Sequence, residues 1–502
     1  MGLRIEGEVE RVNGKEMSYK EFVERYVEKK KPVVLTGLMD DWRGCIDWVS
    51  EDGKPNLLFF STHFGKSIVQ VADCSQREFT DQKRVEMSVS EFIDQWNDYS
   101  SKEHVNANGR EDPGKSLLYL KDWHFVKEYP EYVAYRTPLF FSDDWLNLYL
   151  DSHHLHKDPD TFHGRNEIDC SDYRFVYMGK KGTWTPLHAD VFRSYSWSAN
   201  ICGKKHWYFL SPAQCHHVFD RHVLYFRNTV FVDSHNICVL RNMKSSVYNI
   251  LEDVSETTFP GFKKAIWLEC IQEKNEIIFV PSGWYHQVHN LEDTISINHN
   301  WFNACNLSWV WKLLLEDYNE AKEYIEDIRD ICDDFEGLCQ RNLAANTGMN
   351  FSDFFIFATH FTFANLVQLY FLIEDCGYPI SGQSAEADYL ISNLVSIREI
   401  ALEMRSIESL TECCSVLLDF REVLKNTKFL ELCIAFDKTY MTIDEDSREG
   451  YNPRKPLRLD SQNLDFIRNF GKVSSPEDLI TVIDNAAENL ATEFGMGSLR
   501  SL

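Results

Sequence analysis

The chain lacks basic charge: 52 Lys and Arg stand against 78 Asp and Glu in 502 residues, a net charge of −26. A field of that sign repels phosphate backbones, so a nucleic-acid ligand is excluded and a basic protein or peptide is the expected partner. The longest basic run, Lys29 to Lys31, is too short to serve as a nuclear signal. No C-x-x-C pair occurs among the 14 cysteines, which excludes zinc modules, and their scatter does not fit an extracellular disulfide framework. They read as reduced thiols. The start M-G-L-R-I-E-G-E has no apolar secretion core and the end L-R-S-L fits no lipidation or retention signal. Nucleus and/or cytoplasm are therefore the expected compartments.

One stretch, 354–373, has the length of a membrane span and no Asp, Glu, Lys or Arg. Thr359, Thr362, Asn365 and Gln368 recur in it every third residue, so a buried or dimer-forming helix is expected and no membrane span. What is plentiful is apolar: hydrophobic residues make up 44% and aromatics 14%, enough for a sizeable core.

Between about residue 31 and residue 301, short apolar runs such as P-V-V-L-T-G, S-I-V-Q-V, Y-R-F-V-Y-M-G, H-W-Y-F-L and E-I-I-F-V alternate with Gly, Pro and Asp turns. That density of strands predicts a sandwich or barrel, with a helix over 18–30 flanking it. After Trp301 the texture becomes acidic and Leu-rich at helical spacing, predicting helices over 307–342, 351–373, 386–407 and 410–436. A last helix begins at Pro476, capped by Ser475 and stopped by Gly495. Linkers are expected at 100–115, 376–385 and 444–456.

The chemistry concentrates in two motifs. In G-T-W-T-P-L-H-A-D, 182–190, an extended chain puts His188 and Asp190 on one face, and P-S-G-W-Y-H-Q-V-H-N-L supplies His286 just after a strand and a tight turn. Two imidazoles and one carboxylate form a facial triad for Fe(II) that leaves positions open for a co-substrate and O2, whereas structural zinc wants four ligands. A lone H-x-D plus a distant His is a common coincidence; the strand G-K-K-H-W-Y-F-L-S-P changes that. Alternation there turns one of two adjacent lysines inward, and a buried ammonium needs an anion, which a dicarboxylate such as 2-oxoglutarate supplies. Lys205 is the choice, because it shares its face with Trp207 and Phe209 while Lys204 lies on the more polar side.

Together, T-P-L-H-A-D, the lysine strand, P-S-G-W-Y-H-Q-V-H-N-L and T-I-S-I-N-H-N-W resemble the jumonji-C family of Fe(II)- and 2-oxoglutarate-dependent oxygenases. The helical extension resembles the jumonji domain-containing protein four subgroup and its plant relatives. The resemblance implies a mainly β chain: a double-stranded β-helix (cupin, jelly-roll) catalytic domain over 1–305, with its motif core at about 140–305, flanking helices, and an all-helical region over 306–502. It implies iron ligation by His188, Asp190 and His286, and pairing of Lys205 with the far carboxylate of 2-oxoglutarate. Thr185 matches a hydroxyl donor to that carboxylate, and Asn298 a position near it. It further implies hydroxylation of a protein side chain or demethylation of N-methyl arginine or lysine, on a substrate such as a histone tail or a translation factor. A homodimer through the C-terminal helices is a further expectation. The interval from Asp190 to His286 is long for the family, the surplus falling in 221–243.

Other readings stand beside this one. A catalytically weak cupin scaffold that binds partners is the main alternative, opposed by the intact triad and lysine; a small-molecule oxygenase is another, disfavoured by the helical extension. His216, His217, His289 and His299 are expected to pack or support without ligating. Tyr177, Trp184, Trp197 and Trp284 are expected in the core, and Cys202 as a buried thiol.

Overall fold

The structure, a computed structural model, describes residues 2–103, 116–153, 155, 172–220, 230–232, 238–240, 245–376, 385–407, 417–446, 455–457 and 471–494. The chain divides into two compact units. One comprises Met1–Met17, Arg25–Pro138 and Tyr173–Asn300; the other comprises Ser18–Glu24, Leu139–Asp172 and Trp301–Leu502. Two short earlier segments, Ser18–Glu24 and Leu139–Asp172, are thus grouped with the C-terminal part.

Eight strands organise the first unit: β1 Arg174–Gly179, β2 Trp184–His188, β3 Tyr195–Cys202, β4 Lys205–Leu210, β5 Ile266–Gln272, β6 Glu276–Val280, β7 Tyr285–Asn290 and β8 Thr294–Trp301. They distribute between two sheets, β6-β3-β8-β1 in one and β5-β4-β7-β2 in the other, a pattern consistent with a jelly roll. Among the described residues the first sheet extends to nine strands, adding Glu10–Asn13 and Val33–Thr36 beyond β6, and Leu118–Trp123, Ile68–Glu78 and Asp81–Ser88 beyond β1. The second has five, with Arg4–Glu8 at the edge of β5.

Strand burial follows the sequence pattern. β3 and β6 are buried at every position, as a central strand covered on both faces requires. β4 alternates, with Lys205, Trp207 and Phe209 buried and His206 and Tyr208 half-buried. A core of Val34, Trp207, Phe209, Ile278, Val280, Trp284 and Val288 fills the space between the sheets. Two glycines fix the turns that matter. Gly203, at φ 74°, joins β3 to β4 where a Cβ would strike the Asp293 carbonyl. Gly283, at φ 74°, lets Pro-Ser-Gly carry the chain from β6 in one sheet to β7 in the other.

The second unit is built on α1 Leu307–Tyr324, α2 Phe335–Thr347, α3 Phe351–Cys376, α4 Ala385–Met404, α5 Thr427–Asp446 and α6 Pro476–Phe494. Helix α3 packs against α4, α5 and α6. Its stretch Phe351–Ile373 is long and apolar enough to cross a membrane, and it is 94% buried within the protein. The polar stripe is buried too. Thr359 and Thr362 donate to carbonyls one turn back, Asn365 Oδ1 accepts from Asn393, and Gln368 Nε2 donates to Glu386 and Asp437.

Several expectations need correction. The chain is not mainly β: helical residues outnumber strand residues among those described, since helices such as Leu57–Phe64 and Val89–Glu103 add to the C-terminal set. Nor is the C-terminal part wholly helical, because Leu418–Asp419 pairs with Lys472–Val473. The helix expected over 307–342 breaks at Ile325 into a 3-10 turn, Glu326–Ile331, and restarts where Asp334 caps the Gly337 N–H. Crowded carboxylates and a strong capping side chain outweigh helical spacing there. Of the helix expected over 410–436, residues 410–416 lie outside the described residues. Beyond them a short helix, Phe420–Val423, precedes α5, which starts at Thr427, where Asn426 accepts from the Lys428 N–H, and runs on to Asp446. Ser475 does accept from the Asp478 N–H at the start of α6, while Gly495 lies outside the described residues. The expected linkers fall largely outside as well. Within 221–243 the described part is a pair of antiparallel strands, Val230–Val232 and Cys238–Leu240.

Candidate metal and co-substrate site

Three neighbouring strands of the smaller sheet set Phe209, His286 and His188 side by side: β4 pairs with β7, and β7 with β2. The two imidazole centroids lie 4.3 Å apart. Asp190 follows β2 in extended backbone, at φ −63° and ψ 152°, which returns its carboxylate to the His188 side. One ligand atom from each of His188, Asp190 and His286 lies within 4.8 Å of the others, and no other such group of three occurs among the described residues.

The donor chemistry suits a divalent cation. His188 Nδ1 lies 2.8 Å from the Pro186 carbonyl, and His286 Nδ1 lies 3.3 Å from that of Trp284. A carbonyl only accepts, so each Nδ1 carries the proton and each Nε2 offers a lone pair. Burial, helped by the neighbouring His188, pushes the His286 imidazole down to about 4, which keeps it neutral and ligand-ready. Asp190 accepts from Ser196 Oγ at 2.8 Å and from Asn300 Nδ2 at 2.9 Å. Both donors are uncharged, so they orient the carboxylate without neutralising it. Trp207 and Phe209 flank His286 at 5.6 and 6.0 Å between ring centroids, an apolar wall. After Asp190 the backbone is strained, with Phe192 and Arg193 both at positive φ, 55° and 48°.

Lys205 opens β4 and is 2% exposed. Its amine donates to Ser296 Oγ at 2.8 Å and to Tyr119 OH at 3.3 Å, and burial pushes it down to about 7. Lys204 instead lies at the surface, 3.2 Å from Glu273. Asn298 also donates to Ser296 Oγ, at 3.1 Å, so Lys205 and Asn298 meet through one hydroxyl. Thr185 is half-buried on β2 opposite Val288, and no contact joins it to Lys205 among the described residues.

Sequence reasoning missed Ser196, Ser296, Asn300 and Tyr119. The signal for two of them was available: in T-I-S-I-N-H-N-W, alternation puts Ser296, Asn298 and Asn300 on one face. Tyr119 had no local signal, being a lone tyrosine far from either motif. The remaining histidines keep away from the triad. His289 stacks on Trp184, His299 is hydrogen-bonded to Tyr135 OH, and His216 packs on His217. Trp197 is fully buried, Trp284 donates to the Lys30 carbonyl, and Tyr177 donates to Asp122. The Cys202 thiol is buried and pushed up to about 12.

With this geometry in hand, the comparisons decide the family. Residues 19–306 match the cupin-like domain model. The chain is 54% identical to the arginine-specific demethylase JMJ20 of Arabidopsis thaliana, over 97% of this chain and 98% of that protein. The chain belongs to the jumonji-C oxygenases. It is 40% identical to the 2-oxoglutarate and iron-dependent oxygenase JMJD4 of Danio rerio, over 68% of this chain and 71% of the relative. A more distant relative, the bifunctional arginine demethylase and lysyl-hydroxylase psr-1 of Caenorhabditis briggsae, is 25% identical over 60% of this chain and 64% of its own. Like JMJD4, this jumonji-C protein is a 2-oxoglutarate- and iron-dependent oxygenase.

Proposed function

We propose that the chain oxidises a side-chain carbon of a basic protein, removing an N-methyl group from arginine or lysine. The observation that carries this reading is the His188, Asp190 and His286 cluster, with the buried amine of Lys205 in the same sheet. The demethylase reading is supported by the 54% identity to a relative named for arginine demethylation. Hydroxylation of a side chain is a second reading, favoured by the relative named for lysyl hydroxylation as well. We read the catalytic domain as a double-stranded β-helix over 1–305, with the helical region 306–502 appended. The net charge of −26 supports a basic substrate, such as a histone tail or a translation factor, over nucleic acid. Nucleus or cytoplasm and a helix-mediated homodimer complete the proposal.

In this reading His188, Asp190 and His286 hold the iron. Bound Fe(II), with O2, couples decarboxylation of 2-oxoglutarate to oxidation of a substrate C–H bond. Lys205 takes the far carboxylate, with Ser296, Tyr119 and Asn298 orienting it and Thr185 as a further donor. Asn300 and Ser196 fix the Asp190 carboxylate, and Trp207 and Phe209 keep water from His286. The carbon presented decides the product: an oxidised N-methyl leaves as formaldehyde, and an oxidised chain carbon keeps its hydroxyl.

Mass spectrometry of basic peptides carrying methylated and unmethylated arginine and lysine tests this. Methyl loss with formaldehyde supports demethylation, and a gain of one oxygen supports hydroxylation. Succinate formation without either change would point to a small-molecule substrate. No succinate with Fe(II) and 2-oxoglutarate present would leave the scaffold alternative.

A further inference from the structure

A second lysine is buried beside the first. Lys121 lies on the strand Leu118–Trp123, two residues from Tyr119 and on the same face, and it is 3% exposed. Its amine sits 5.3 Å from the Tyr119 ring centroid, and that of Lys205 sits 6.0 Å from the same ring. Its hydrogen bond goes to Gln82 Oε1 at 2.8 Å; Gln82 Nε2 in turn donates to the carbonyl of Trp184, the first residue of β2. An ammonium has three donors, and one amide oxygen satisfies only one of them.

The charged and titratable groups around Lys121 come from every strand packed near it. They are Cys74 from Ile68–Glu78, Asp81 and Arg84 from Asp81–Ser88, Asp122 from its own strand, Tyr177 from β1 and Lys205 from β4. Both carboxylates are held elsewhere. Arg84 bonds Asp81 at 3.4 Å and Asp122 at 2.5 Å, and Tyr177 OH donates to Asp122 at 2.6 Å. The Cys74 thiol is pushed up to about 11 by burial, so it contributes no anion near neutral pH. Among the described residues no carboxylate forms an ion pair with Lys121 or with Lys205, whose hydrogen bonds go to Gln82, Tyr119 and Ser296. Charging both amines around one phenol in a buried site is costly unless an anion joins them, and burial accordingly pushes both amines down.

We propose that Lys121 is a second cation of the co-substrate pocket, a positioning residue that makes the site select a ligand with a negatively charged tail. This rests on the reading of Lys205 as the partner of the far carboxylate. Lys205 supplies the contact, and Lys121 supplies field: it disfavours an empty pocket and a neutral tail alike, and is relieved when a carboxylate arrives.

Calorimetry on the full chain loaded with redox-inert Mn(II) tests it, comparing 2-oxoglutarate with 2-oxoglutaramate, whose tail is a neutral amide of the same size. Lys121→Met should weaken 2-oxoglutarate about 3- to 30-fold, as expected for losing a unit charge at several ångströms in a poorly screened site. It should leave 2-oxoglutaramate within about twofold, and Lys121→Arg should retain the wild-type preference. Equal weakening of both ligands, or no change in either, overturns the proposal. Melting curves accompany each variant; where Lys121→Met does not fold, Lys121→Gln, which keeps a donor for Gln82, carries the same comparison. Lys205→Ala separates the two ideas. If it leaves 2-oxoglutarate binding intact, the co-substrate reading itself fails; if it weakens binding while Lys121→Met does not, only the role of Lys121 fails.

Discussion

Both units of this protein bury polar side chains, and they do so to opposite ends. In α3 most of the polar stripe closes on its surroundings: two threonines return to their own helix, and Asn365 and the Gln368 amide nitrogen meet side chains from α4 and α5, while Gln368 Oε1 has no partner among the described residues. In the β unit, His188, His286 and Asp190 converge with two lone pairs and a carboxylate that accepts from the neutral donors Ser196 and Asn300, and Lys205 forms no ion pair with a carboxylate among the described residues. Satisfied polarity specifies packing, whereas concentrated and unneutralised polarity marks a place for a ligand.

The comparison breaks most sharply at the triad. His188→Ala, Asp190→Ala and His286→Ala should each abolish 2-oxoglutarate turnover, with melting temperature held within a few degrees, because these groups contribute ligation more than packing. Turnover surviving in Asp190→Ala would remove the carboxylate from the triad. In the helical unit the expectation reverses. Deleting 386–502 removes α4, α5 and α6 from α3 and should cause aggregation, seen by light scattering; a soluble, active truncation would make the helical region dispensable.

Acidity offers a finer test. The Lys205 amine is pushed down to about 7 in the ligand-free protein, and a bound carboxylate raises it again. Above pH 7 the ligand must therefore recruit a proton, so 2-oxoglutarate affinity should fall by up to about tenfold per pH unit, a slope that Lys205→Ala abolishes. The same depression makes folding less favourable below about pH 7, where the unfolded amine keeps its proton and the buried one is charged at a cost, and more favourable as pH rises toward the ordinary lysine range. The smallest effect belongs to Asn300→Ala. It frees one oxygen of Asp190 and should weaken metal affinity about 10-fold while leaving 2-oxoglutarate selectivity alone, as loss of a single orienting contact does.

Much of this was legible in the sequence, and for identifiable reasons. His188, Asp190, His286 and Lys205 sit in strands where period-two alternation gives direction without knowledge of the fold. Ser296 and Asn300 were equally readable on β8. Tyr119 and Lys121 were not, since their strand reaches the site through long-range contacts, the pairing of Leu118–Trp123 with β1 and the Lys205–Tyr119 hydrogen bond among them, that leave no local pattern. The helical region failed differently. Spacing located its apolar faces but not the break at Ile325 or the restarts at Phe335 and Thr427, where Asp334 and Asn426 accept from backbone N–H groups.

The adjacent lysines test the central claim most directly. Calorimetric titration of 2-oxoglutarate into the Mn(II)-loaded wild type, Lys205→Ala and Lys204→Ala compares two residues of identical chemistry that differ in the face they occupy. Lys205→Ala should weaken binding by about 10- to 1000-fold, as loss of a charge-assisted contact in a desolvated pocket implies, and Lys204→Ala should bind as the wild type does. Weakening by Lys204→Ala with Lys205→Ala unaffected, or no effect from either, would contradict it.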